Sequence, residues 1–164
     1  MRPFLKFFSL FLLIFAVDQS SKWAAWHYFS AMRWQPFFPF GGQALFENFY
    51  GIDGALVNHA NKGAAFGLFA DHQEFLLGFR LALVLAMSIW LLFINKIEGY
   101  LLPVSLILSG ALSNIIDYFF YGHVVDLFYF RFWGYAYPVF NVADSAICIG
   151  TGLLLLHMLR AKKA

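Results

Sequence analysis

Two aspartates, Asp126 and Asp144, stand in segments that are otherwise apolar, "GHVVDLF" and "FNVADSA". Asp18 in "DQSSK" and Asp117 in "SNIIDYFF" share that setting, so four of the six aspartates interrupt greasy sequence. Two carboxylates held close in a partly dry site cannot both ionise cheaply and tend to share one proton. One then serves as base and the other as acid. That division suits splitting an amide with activated water: the base takes a proton from water, and the acid protonates the carbonyl oxygen or the leaving nitrogen. It suits equally well the passage of protons or cations through a helical bundle.

Each carboxylate also has a structural role open to it. Asp18 and Lys22 are i and i+4 on one helical face and can pair. Asn114 and Asp117 are i and i+3 too deep in an apolar run to cap a helix, which points to a polar cluster joining helices or shaping a site. Asn141 follows Pro138 and can cap a helix, with Asp144 three residues on in near capping-box spacing. Asp126 has no such local explanation. Asp53 and Asp71 fall in loop sequence. The five histidines form no HExxH or Cys/His ligand spacing, so no metal site is expected. His123 reads as a neutral interfacial histidine. The lone Cys148 lies in an apolar run and has no partner for an internal disulfide.

The elements that position these groups follow from composition. Of 164 residues, 62% are hydrophobic and 12% charged, and 22 are Phe. Soluble domains carry about a quarter charged residues, so the chain reads as an integral membrane protein of mainly α class. A net charge of +2 without any basic cluster gives no footprint for nucleic acid. Four apolar stretches approach the ~20 residues a spanning helix needs: 4–27, 75–94, 100–120 and 138–159. The first begins like a signal peptide but lacks a small-residue cleavage site, and is expected to stay as a helix. Between the first two stretches, 28–74 mixes short apolar runs with Pro36, Pro39, Gly41, Gly42, Gly51 and Gly54. That punctuation predicts a small β platform, and its aromatics suit the lipid–water interface. In "NKGAAFG" the small residues, Gly63 among them, allow close backbone approach, as a turn or as a peptide-gripping loop with Asn61.

Lysine and arginine set the orientation. Arg2, Lys6, Lys96, Arg160, Lys162 and Lys163 fall on one side of four spans. Arg33, Lys62 and Arg131 fall on the other, over longer loops. Both termini are therefore expected in the cytoplasm and the platform outside. Asp117, Asp126, Asp144 and Asp18 then gather near the outer face, with Asp126 in an outer loop and Asp144 in the first turns of the last helix. A proton relay would instead thread its charges through the bilayer, and a scaffold would use them as glue between helices.

"DQSSK" (18–22), "NKGAAF" (61–66), "GALSNIID" (110–117), "GHVVD" (122–126) and "FNVADSA" (140–146), in this order, resemble the bacterial lipoprotein signal peptidases, signal peptidase II. The resemblance implies a single membrane-embedded aspartic protease domain that removes the signal peptide from lipidated prolipoproteins, cutting before the diacylglyceryl-modified cysteine. It implies no cofactor, no metal and no nucleic-acid partner, contact with membrane lipid, an inner-membrane location and a monomer. Asp126 and Asp144 correspond to the catalytic pair. Asn61, Gly63, Asn114 and Asn141 correspond to residues that hold substrate backbone and shape the pocket, and Asp18, Lys22 and Asp117 to supporting residues. The family carries arginine after the aspartate of "NxxD", where this chain has Tyr118. Arg131 is a basic residue that could stand in for it.

Overall fold

The computed structural model describes residues 2–32, 37–63, 72–94 and 97–161. Arg33, Pro36, Asp71, Lys96, Lys162, Lys163 and the "AAF" of "NKGAAF" lie outside them. Four long helices carry the chain: α1 (Arg2–Tyr28), α2 (Gln73–Ile89, continued by a π-helical turn over Trp90–Ile94), α3 (Leu101–Tyr121) and α4 (Val142–Ala161). Three are long and apolar enough to cross a membrane: Gln73–Ile94, Leu101–Tyr121 and Val142–Arg160. Among the described residues the chain is thus mainly helical, with three candidate spans and one small antiparallel sheet.

Two compact units divide the chain. One takes 1–18, 77–116 and 142–164; the other takes 19–76 and 117–141. In the first, α3 and α4 pack with their backbones close. A Cβ built on Gly110 would lie 2.3 Å from the carbonyl oxygen of Ala143, and one on Gly150 would lie 2.7 Å from that of Pro103. Small residues at such crossings let helices approach where no hydrophobic effect drives them together. The hydroxyl of Ser109 donates to the Phe11 carbonyl at 2.8 Å, fastening α3 to α1.

The second unit is built on a four-stranded sheet, β1 (Gln43–Phe49), β2 (Ile52–Asn61), β3 (Val124–Phe132) and β4 (Tyr135–Ala136), paired in that order. Two hairpins of the same construction set its register. Phe49 pairs with Ile52 across Tyr50–Gly51, and Phe132 with Tyr135 across Trp133–Gly134. All four loop residues have positive φ, as a two-residue loop matched to strand twist requires. The Trp133 amide donates to the Gly51 carbonyl at 2.8 Å, so the two turns lie side by side. Ala55, Val57 and Tyr129 form one core on this sheet, and Ala25, Val125 and Leu127 another.

The structure corrects four expectations. It is not confined to the segment between the first two helices, because β3 and β4 come from the connection after α3. Asp126 therefore lies on a strand, opposite His59 of β2, and not in a loop. Asp53 also lies on a strand, opposite Arg131. The fourth helix starts at Val142 and not near 138. Phe140 is taken up by β3 instead: its amide donates to the Phe128 carbonyl at 3.2 Å, and its carbonyl accepts from Leu127 at 3.0 Å and Phe128 at 2.8 Å.

Candidate active site

That strand-like pairing of Phe140 delivers the next residue, Asn141, against β3. Asn141 Nδ2 donates to Asp126 Oδ1 at 2.8 Å and lies 3.3 Å from the Val125 carbonyl. Two acceptors at one nitrogen fix which end of the amide faces the carboxylate. Asn61, the last residue of β2, approaches the other oxygen: its Nδ2 lies 2.9 Å from Asp126 Oδ2. Its own Oδ1 accepts the Gly63 amide at 3.0 Å, so the turn at Gly63 holds the amide with its nitrogen toward Asp126. Asp126 and Asn141 are both fully buried. Both oxygens of Asp126 thus receive an amide N–H, which solvates a charge where water is scarce.

The other candidates are divided between the two units. Asp117, near the end of α3, is fully buried and makes a 2.7 Å salt bridge from Oδ2 to Lys22, itself fully buried. Its Oδ1 accepts Gln19 Nε2 at 2.8 Å, and its Oδ2 accepts the Val125 amide at 3.3 Å. That last bond ties Asp117 to the residue before Asp126. In the helical unit, Asp18 Oδ2 accepts the Ser113 hydroxyl and Oδ1 accepts the Ala143 amide, both at 2.7 Å. Asp18 therefore supplies a negative charge to an orphan N–H of the first turn of α4, where the helix dipole favours an anion. Asn114 Nδ2 donates to Asp144 Oδ1 at 2.9 Å, joining α3 to α4. Asp126 belongs to the sheet unit and Asp144 to the helical unit.

Three asparagines expected to grip substrate thus each donate to a candidate carboxylate. Only the pairing of distant strands and helices reveals this. Arg131 is engaged by Asp53, Nε to Oδ2 at 2.6 Å, with its side chain 43% exposed. The Asn48 amide, at 2.7 Å, and then Arg131 hold the Asp53 carboxyl below the usual aspartate range. Burial, then the charge of Lys62, depress the pKa of His123, which keeps the ring neutral near pH 7. His123 packs against Trp26 at a ring distance of 5.6 Å, and its buried Nε2 has no hydrogen-bond partner among the described residues. Nor does any group of three His, Cys, Asp or Glu among those residues have the arrangement of a metal site.

The geometry defines a mainly helical fold with three candidate membrane spans among the described residues, in which asparagine amides hold the buried Asp126 and, separately, Asp144. A family profile described as Signal peptidase (SPase) II matches residues 10–160. A lipoprotein signal peptidase of Polynucleobacter necessarius is 32% identical over 160 residues, covering 95% of this chain and 90% of that protein. Lipoprotein signal peptidases of Clostridium tetani and Haemophilus influenzae are 42% and 44% identical over 103 and 110 residues. Those two matches cover 61% and 63% of this chain, and 65% and 63% of the relatives' lengths. A bacterial membrane enzyme solved by the in meso method at 2.3 Å superposes with a TM-score of 0.77 at 24% identity, over 96% of this chain and 89% of that one. A second, solved at 1.9 Å, gives 0.73 at 25% identity over 94% and 92%. The chain belongs to the signal peptidase II family.

Proposed function

We propose that this protein is a membrane aspartic endopeptidase that removes the signal peptide from lipidated prolipoproteins, with Asp126 and Asp144 as the catalytic pair. The observation that carries this reading is the seating of Asp126, buried with one asparagine amide on each oxygen. Asn141, which makes one of those bonds, precedes Asp144 by three residues, so chain continuity limits how far apart the two aspartates can lie. Family membership supports the same pair, and the names of the relatives support the substrate class.

In this reading one aspartate is ionised and the other neutral. The ionised carboxylate takes a proton from a water molecule as its oxygen bonds to the scissile carbonyl carbon. The neutral carboxyl gives its proton to the carbonyl oxygen, leaving a neutral tetrahedral diol. A proton then passes to the peptide nitrogen, the C–N bond breaks, and the products are a carboxylic acid and the amine of the cysteine-headed chain. Asn61, Asn141 and Asn114 hold the carboxylates for this exchange.

Four spans are proposed, with α1 as the additional one: 27 residues reach about 40 Å. Both termini lie in the cytoplasm of a bacterial inner-membrane protein and the aspartates near the outer face, as the Lys/Arg distribution favours. One chain carries both aspartates, which supports a monomer. The deciding experiment incubates purified protein with a lipidated, cysteine-containing precursor beside Asp126→Asn and Asp144→Asn. Wild type should release the signal peptide and neither variant should, while both still fold and insert. Full cleavage by either variant overturns the assignment.

A further inference from the structure

The far end of the helical unit holds a cavity of about 230 Å³ that plays no part in the proposed chemistry. Its walls come from three helices: Phe7, Phe8 and Phe11 of α1, Leu91 and Leu92 of the π turn, and Leu101 and Leu108 of α3. Only Ser88 and Ser105 add hydroxyls. Along α3 the lining residues lie six to thirteen positions before Asn114, about 9–20 Å down the axis from the bond to Asp144.

Three observations identify what such a space takes up. An apolar cavity of about 150 Å³ already stays dry and accepts benzene-sized hydrocarbon, so this larger one favours hydrocarbon over water. The apolar stretch of α2 and its π turn has 0% of its residues buried among the described residues, so on the spanning reading the wall bearing Leu91 and Leu92 faces lipid. Leu92 and Phe8 line the cavity and are also 56% and 47% exposed, which makes the cavity continuous with the outer apolar surface. The π turn that ends α2 falls at this wall, and such turns are frequent at functional sites.

We infer that the cavity is a binding site for one acyl chain of a membrane phospholipid, entered from the bilayer beside α2. The inference rests on the membrane-spanning reading and is independent of the hydrolytic one. The test places the full protein in phosphatidylglycerol nanodiscs doped with a phospholipid carrying a diazirine on one acyl chain. After irradiation, adducts are mapped by peptide mass spectrometry. Adducts on Leu91, Leu92 and Leu108 should exceed those on Leu81 and Leu85, both exposed on α2, by roughly tenfold. Ser105→Phe and, separately, Ser88→Phe should abolish that excess while helical circular dichroism is unchanged.

Equal labelling of all five leucines overturns the cavity site and leaves the spanning reading intact. No labelling of any of them overturns both. An excess that survives both fillings contradicts the site. So does loss of the excess when a peptide with an apolar signal helix is added, because the occupant would then be peptide.

Discussion

Asn141 and Asp126 are joined by a 2.8 Å hydrogen bond inside fully buried surroundings. The bond exists because Phe140 pairs with β3 as a strand would before the chain turns into α4. A carboxylate so buried depends on its donors for solvation. Removing one should weaken every state in which Asp126 is charged, by roughly 1.5–3 kcal/mol for a hydrogen bond to a charged group. Asn141→Leu should therefore lower kcat for a lipidated precursor by about ten- to a hundredfold. The single-turnover rate checks this, beside a thermal melt to confirm folding.

Lys22 and Asp117 form an ion pair with both side chains fully buried. Removing only one partner leaves an uncompensated charge in a dry site, at about 3–5 kcal/mol. Lys22→Met should thus lower the melting temperature in detergent sharply. Lys22→Met with Asp117→Leu, which removes both charges, should recover much of that loss. A double variant no more stable than Lys22→Met would contradict the pairing.

Gly110 faces the Ala143 carbonyl with room for a hydrogen and no more. A Cβ there would sit 2.3 Å from that oxygen, backbone against backbone. Gly110→Ala should force α3 and α4 apart and cost about 1–3 kcal/mol, as overpacking does. Gly152, with nothing within 4 Å of its built Cβ, is the control: Gly152→Ala should leave the melting temperature unchanged or raise it.

Asp53 gives the sheet a pH dependence of known sign. Its folded pKa lies below the ordinary value of 3.8 because the Asn48 amide and then Arg131 favour the carboxylate. The stabilisation is complete above the unfolded pKa and is lost as pH falls through the lowered folded value. Melts at falling pH should show the wild-type sheet losing stability below that ordinary range. Asp53→Asn should be less stable at neutral pH and should lose less on acidification.

The helices were legible because their apolar runs are long. Each expected stretch lies within four residues of an observed helix at both ends, the largest miss being the start of α4. That miss, the strand position of Asp126 and the pairing of Asp53 share one cause. β3 reads "VVDLFYFRF", a run too uniformly apolar to show strand alternation, and its partner β2 lies more than sixty residues earlier in the chain. Asn61, Asn114 and Asn141 could be picked out in the sequence, but the carboxylates they meet could not. Each amide meets its carboxylate only where separate elements pair: β2 with β3 for Asn61, α3 with α4 for Asn114, and Phe140 with β3 for Asn141. Asp18 shows the same limit: its bond to the α4 amide of Ala143 spans 125 residues.

The most direct test is an experimental structure of the protein with a peptide inhibitor that places a hydroxyl where the attacking water would stand. The dyad assignment requires that hydroxyl to lie within hydrogen-bond reach, about 2.6–3.2 Å, of one oxygen of Asp126 and one of Asp144 together. A bound hydroxyl touching only one of the two, with the other carboxylate beyond reach of any shared water, would contradict it.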